Sequence, residues 1–174
     1  ARSTTLYSIQ VPERDGQRFG ATLFADQQAA YEALSDDMKA RIDPLIGRHH
    51  YGNREDLDRS SRTVASVLTQ EQEEKMQWVR HRIARPHPLT GRKALYVNPG
   101  HTVRFAGWTE EESAPLLNYL FEQQVKPEYT CRFVWRPGSI AFWDNRCALH
   151  NPINDYHGHK RLLHRITLKG DKPA

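Results

Sequence analysis

The sequence predicts an α+β fold dominated by β-structure: an antiparallel sandwich or jelly roll with helices packed outside it. Three observations carry this expectation. The last third of the chain alternates apolar and polar residues in short runs separated by turns, strands outnumber helices toward the C-terminus, and no strand-helix-strand rhythm calls for a parallel sheet. The composition agrees, since 174 residues of which 38% are hydrophobic and 26% charged suit one soluble domain. No internal repeat or low-complexity segment breaks the chain.

Taken in order, Ser3 to Gln10 alternates and is rich in Thr, Tyr and Ile, which reads as a strand that Val11-Pro12 ends. Glu13 to Gly20 is polar, and Ala21 to Ala25 reads as a short second strand with Thr22 and Phe24 on one face. Asp26 is the N-cap of a helix carrying Tyr31 and Leu34, and Ser35 starts another carrying Met38, Ile42 and Leu45 before Gly47. From Arg48 to Arg85 the chain is polar and weakly periodic, with Leu68, Met76, Trp78 and Val79 as its few anchors; loop and short helix, a mobile insertion, is expected. His87 to Gly91 reads as a turn and Ala94 to Asn98 as a strand. Thr109 and Glu112 stand in capping-box spacing ahead of a helix with Leu116, Leu117, Leu120 and Phe121; Pro115 moves its expected regular start toward Ser113. Tyr129 to Trp135, Ile140 to Trp143 and Arg161 to Lys169 complete the strands, with a turn at Arg136 to Ser139.

Composition also excludes some functions. No apolar run approaches the roughly 20 residues of a membrane helix, and Ala1 to Gln10 has no signal-peptide pattern, so a cytoplasmic protein without a membrane partner is expected. Cys131 and Cys147 are too few for a disulfide framework or a thiolate zinc site, so any metal must be held by His and carboxylates. The net charge of +4 invites a nucleic-acid partner, but the basic residues are scattered among 21 acids with no basic and aromatic stripe, which counts against it.

The chemistry concentrates near the C-terminus. In the strand from Arg161 to Leu168, period-two alternation puts Arg161, Leu163, Arg165 and Thr167 on one face, with the arginine backbones about 13 Å apart. Facing inward, the guanidinium groups would bracket a small anionic site, since planar pairing to a carboxylate or sulfonate suits Arg. Facing outward, they would only solubilise the strand; alternation leaves both open. His150 precedes Arg161 by eleven residues. A neutral imidazole at a strand end beside an anion-binding arginine is a natural metal ligand. His49-His50 and His157-Gly158-His159 read as solvated loop residues, and His81, His87 and His164 have no evident partner.

Together, WDNRCALH (Trp143 to His150), NDYHGHKRLLHR (Asn154 to Arg165) and GDKP (Gly170 to Pro173) resemble the C-terminal signature of the taurine dioxygenase family. The stretches HPLTGRKALYVNPG (His87 to Gly100), TEEESAPLLNYLF (Thr109 to Phe121) and FGATLFADQQAAYEALS (Phe19 to Ser35) resemble other family segments in the same order. The resemblance implies a double-stranded β-helix, cupin-like, and an Fe(II)- and 2-oxoglutarate-dependent dioxygenase. It would hydroxylate a small anionic substrate, such as a sulfonate, alkyl sulfate or aryloxyalkanoate, and release succinate and CO2. By motif position, His150 resembles the distal iron ligand, Arg161 the residue that binds the far carboxylate of 2-oxoglutarate, and Thr22 a hydroxyl assisting there. Arg165 resembles the arginine near the substrate anion, and His101 a residue lining the substrate pocket.

One departure is large. The family holds iron with a His-x-Asp pair plus the distal His, and these 174 residues contain no His-x-Asp or His-x-Glu. In the family that pair lies shortly before the strand that Ser3 to Gln10 resembles, so the fold is expected to be incomplete at its N-terminus and these 174 residues inactive alone. The competing expectation is a non-catalytic jelly-roll module that binds an anion through Arg161 and Arg165. Oligomeric state stays open, a homo-oligomer included.

Overall fold

The computed structural model describes residues 1–50 and 78–170. Its elements in chain order are β1 (Ser3–Gln10), β2 (Glu13–Arg14), β3 (Gln17–Arg18), β4 (Thr22–Asp26), α1 (Gln27–Glu32), α2 (Asp36–Ile42), β5 (Ile46–His49), β6 (Val79–Arg82) and β7 (Ala84–Pro86). There follow β8 (Lys93–Leu95), β9 (Thr102–Phe105), α3 (Glu110–Gln123), a 3-10 turn at Pro127–Tyr129, β10 (Thr130–Phe133), β11 (Ile140–Asp144), β12 (Ala148–Pro152) and β13 (Leu162–Leu168). Strand pairing is antiparallel throughout. None of the described helices is long and apolar enough to cross a membrane.

The chain divides into two compact units, Ala1–Gln27 with Lys126–Pro173, and Gln28–Val125. The first holds two three-stranded sheets, ordered β11-β1-β13 and β10-β4-β12. Both turn apolar side chains into one core: Leu6, Ala141, Trp143 and Leu163 from the first sheet, Phe24, Phe133 and Ala148 from the second, with Trp135 beside them. Alternation along β1 explains the division, because Leu6 faces this core while Tyr7 and Ile9 face outward. β2 and β3 form a hairpin whose two-residue turn, Asp15-Gly16, has positive φ at both positions (52° and 75°), the conformation that matches strand twist.

The second unit packs α1, α2 and α3 with the sheet β6-β5-β9 and the β7-β8 pair. Tyr31 ties α1 to the end of α2 by donating to Asp43 (2.7 Å), and Lys93 at the start of β8 pairs with the same carboxylate. Burial pushes the Asp43 carboxyl up, but the hydrogen bonds from Lys93 and Tyr31 outweigh this and leave it below its ordinary value.

Several expectations are corrected. α2 stops at Ile42 because Pro44 cannot continue it, so Leu45 lies beyond the helix. The loop and short helix expected from Arg48 to Arg85 give way at both described ends to strand, with His49 in β5, Val79–Arg82 in β6 and Ala84–Pro86 in β7; residues 51–77, including Leu68 and Met76, lie outside the described residues. Antiparallel pairing of β5 with both β6 and β9 supplies the hydrogen bonds that sequence periodicity does not announce. α3 starts at Glu110 despite Pro115: the Thr109–Glu112 capping box is formed, and Ser113 donates from its hydroxyl to the Thr109 carbonyl. His150 sits inside β12 and not at a strand end, since the strand continues to Pro152 opposite Thr22.

Candidate functional site

In the first unit, β4 is the central strand that assembles the site. Thr22 is opposite Phe133 on β10 and Pro152 on β12, and Phe24 is opposite His150. Residues opposite one another share a face, so Thr22, Phe24 and His150 all point to the core side. There His150 lies against the ring of Trp143 (centroids 4.9 Å apart) and near that of Phe24 (6.4 Å). Burial, helped by the nearby positive Arg165, lowers the His150 pKa below its ordinary value. The ring is therefore held neutral, which is the form that ligates a metal.

Arg161 immediately precedes β13. Its guanidinium stands over the rings of Tyr156 (5.4 Å) and Trp135 (5.9 Å), and Nε donates to the Gly20 carbonyl at 3.0 Å. Gly20 is required here twice over: its φ is +72°, and a Cβ would meet Arg161 Cδ and Nε at 2.6 Å. The Gly20 amide in turn donates to Asp155 Oδ1 at 2.6 Å, which fixes the loop before β13 against the entry to β4. Burial lowers the Arg161 pKa, while Tyr156 and Asp155 push the other way. Among the described residues no carboxylate makes an ion pair with Arg161; its charge rests on aromatic faces and one carbonyl. A half-buried guanidinium of this kind leaves its outer N–H groups for an external carboxylate. Thr22, 1% exposed, receives a hydrogen bond from Trp135 Nε1 at 3.0 Å, so one indole links the hydroxyl to the guanidinium.

Leu163 packs against the core, so the face that carries Arg161, Leu163 and Arg165 is the inward one, the question that alternation left open. Arg165 itself is exposed, opposite Leu6, and close enough to act on His150. The structure thus gathers Thr22, His150, Arg161 and Arg165 in the first unit.

His101 belongs to the second unit, in the turn before β9, where its carbonyl accepts from the His50 amide at 2.8 Å. It is part of an imidazole cluster that sequence reasoning missed. His49, expected to be solvated, is 6% exposed, with Nδ1 3.0 Å from Thr102 Oγ1 and its ring 5.4 Å from His81 and 5.7 Å from Tyr96. Burial, with His81 and His101 adding to it, lowers the His49 pKa to about 4. Gly47 makes room for it, since a Cβ there would meet His49 Nε2 at 2.8 Å. His87 plays a structural part, accepting at Nδ1 from the amides of Leu89 and Thr90.

Comparison with known proteins gives a consistent picture. The family model described as "Taurine catabolism dioxygenase TauD, TfdA family" matches residues 1–167. An alkylsulfatase of Acinetobacter baylyi is 32% identical over 177 residues, covering 95% of this chain and 51% of the relative. The (S)-phenoxypropionate/alpha-ketoglutarate-dioxygenase of Sphingobium herbicidovorans is 32% identical over 154 residues, covering 87% of this chain and 53% of the relative. The crystal structure of AAD-2 in complex with Mn(II) and N-oxalylglycine superposes with a TM-score of 0.81 at 30% identity, covering 99% of this chain and 65% of that one. The chain spans about half the length of these two curated relatives, 51% and 53%.

Proposed function

The chain belongs to the taurine catabolism dioxygenase TauD, TfdA family, and from that premise we propose that it forms the distal-ligand and cosubstrate-anchoring part of an Fe(II)- and 2-oxoglutarate-dependent dioxygenase. The observation that carries this reading is the Arg161 guanidinium, cradled by Trp135 and Tyr156 without a carboxylate of its own, beside Thr22 and on the same core as the neutral His150. In this reading Arg161 and Thr22 hold the far carboxylate of 2-oxoglutarate and His150 gives one ligand to iron. N-oxalylglycine, the molecule bound by the similar AAD-2, is a 2-oxoglutarate isostere, which fits the same holder. The two facing sheets of the first unit are the core of a double-stranded β-helix.

His150 supplies one ligand only, and no His-x-Asp or His-x-Glu exists in these residues. When bound, iron and 2-oxoglutarate would supply oxidative decarboxylation with O2 as the oxidant, one oxygen atom of O2 ending in succinate, released with CO2, and the other in a hydroxyl on the substrate carbon. The protein's own share is to keep His150 unprotonated, to orient 2-oxoglutarate through Arg161, and to present an anionic substrate to Arg165. Names of relatives that mention alkyl sulfates and phenoxypropionate support a small anionic substrate, a sulfonate, sulfate ester or aryloxyalkanoate.

The test is succinate formation against 2-oxoglutarate concentration with Fe(II) present. Arg161→Ala removes a charge-assisted anchor and is expected to raise the 2-oxoglutarate requirement by about 100-fold or more. An unchanged requirement overturns the assignment. In the full-length polypeptide His150→Ala is expected to abolish Fe(II) uptake in a metal titration, and a full-length polypeptide that takes up no Fe(II) with His150 intact would be an anion-binding module instead.

A further inference from the structure

Thr22 and Trp135 hold an asymmetry that the roles above do not use. Trp135 is fully buried, and its single polar atom, Nε1, meets Thr22 Oγ1 at 3.0 Å. An indole N–H can only donate, so in this pair Thr22 Oγ1 is necessarily the acceptor. The hydroxyl keeps its own hydrogen to give away. Thr22 is 1% exposed, and among the described residues no acceptor takes that hydrogen. A buried donor left unmatched costs free energy that an incoming acceptor recovers. The same indole lies under the Arg161 guanidinium at 5.9 Å, and Arg161 is tied to Gly20, two residues before Thr22. A hydroxyl whose hydrogen has no acceptor among the described residues and a guanidinium with no carboxylate partner among them therefore share a single aromatic support.

We propose that Trp135 is a positioning residue that fixes the direction of the Thr22 hydroxyl proton. By occupying one of the two Oγ1 lone pairs, it excludes the rotamer that would turn the proton toward the indole and so favours those in which the proton can point at an anion. The acceptor is the far carboxylate of 2-oxoglutarate, so the inference rests on the site reading given for Arg161 and Thr22. The result is a relay from indole N–H to hydroxyl to carboxylate, in which each bond polarises the next. An aliphatic or phenyl side chain at position 135 could fill the space and support the guanidinium, but it could not orient the hydroxyl.

The experiment is a double-mutant cycle read by calorimetric binding of 2-oxoglutarate to the zinc-loaded protein. Trp135→Phe keeps an aromatic ring under Arg161 and removes the N–H; it is expected to raise the dissociation constant about five- to tenfold, the scale of one neutral hydrogen bond. Thr22→Val is expected to do the same, and the double variant to do no more than the larger single one, because Trp135 acts through Thr22. Losses that multiply, or no loss in Trp135→Phe, overturn the proposal. Should Trp135→Phe fail to fold, the unsubstituted protein still decides: the Trp135 indole proton is expected to move downfield in NMR spectra on addition of 2-oxoglutarate, and to stay still in Thr22→Val. An indole proton that does not move in the unsubstituted protein counts against the relay. Arg161→Ala separates this from the wider reading. If that variant binds 2-oxoglutarate normally, the cosubstrate site itself is misassigned; if it loses binding while Trp135→Phe does not, only the role of Trp135 falls.

Discussion

His49 shows how a single side chain can couple stability to pH. The fold holds its pKa at about 4, mainly through burial, against 6.5 for the free imidazole, and burial, with Arg85 adding to it, lowers His81 in the same direction. Between these values the unfolded chain binds a proton that the folded chain refuses, so stability is full above pH 6.5 and declines as pH falls toward 4. For His49 the decline amounts to about 3 kcal/mol. Denaturant unfolding at pH 7, 6, 5 and 4 should show it, and a His49→Gln variant should lose that part of the slope. A flat profile in the unsubstituted protein would mean that His49 is open to water. The sequence gives no local sign of this burial: two adjacent histidines after an arginine look solvated, and only the pairing of β5 with β6 and β9, together with the space left by Gly47, puts the ring inside. For β13, alternation left the facing of Arg161 and Arg165 open until Leu163 was seen to pack on the core, and Trp135 read only as the end of a strand, because aromatic support for a cation is a tertiary contact.

At the scale of elements, α3 tolerates Pro115 because its first turn is fastened independently. Ser113 is wholly buried; its hydroxyl donates to the Thr109 carbonyl at 2.7 Å and accepts from the Phe105 amide at 3.0 Å, which joins helix to β9. Ser113→Ala leaves the Phe105 N–H buried and unpaired, an expected loss of about 1–3 kcal/mol. Thr109→Ala, which removes an exposed cap, is expected to cost about 1 kcal/mol. Thermal denaturation of the two variants checks the order; a larger effect for Thr109 would put the anchor in the cap and not in the helix-to-strand contact. The capping box was legible because its two residues are three apart in sequence, while the Ser113 link was not, since its partner lies across a turn. The β2-β3 hairpin had a signal that went unread: Asp15-Gly16 is a preferred two-residue turn. β12 had none, because its alternation is short and its hydrogen-bonding partner, β4, lies more than a hundred residues upstream.

For the molecule as a whole, the mainly β, antiparallel architecture followed from pattern alone, but the division into two units did not, because no linker or change of composition marks Gln27 or Lys126. The outer face of the β11-β1-β13 sheet is unusual for a surface: Phe142 and Ile166, 64% and 61% exposed, flank Thr5, and Ile140 stands opposite the exposed Tyr7. Apolar patches of this kind promote association. The 174-residue chain is expected to self-associate at micromolar concentration, and Phe142→Lys to reduce this in sedimentation velocity; equal sedimentation of both forms at all concentrations would show that the face is not adhesive.

The strand order has a consequence for how the chain comes into being. Among the described residues β1 pairs with β11 and β13, and β4 with β10 and β12, so β1 and β4 are made long before the strands that complete their sheets. During synthesis Ser3–Gln10 and Thr22–Asp26 remain open edges until the strands from Thr130 onward exist. Arg161 is made after Thr22 and His150, so a chain stopped short of it lacks both β13 and the proposed anchor for 2-oxoglutarate, and in that interval the unpaired edges of β1 and β4 most need protection from aggregation.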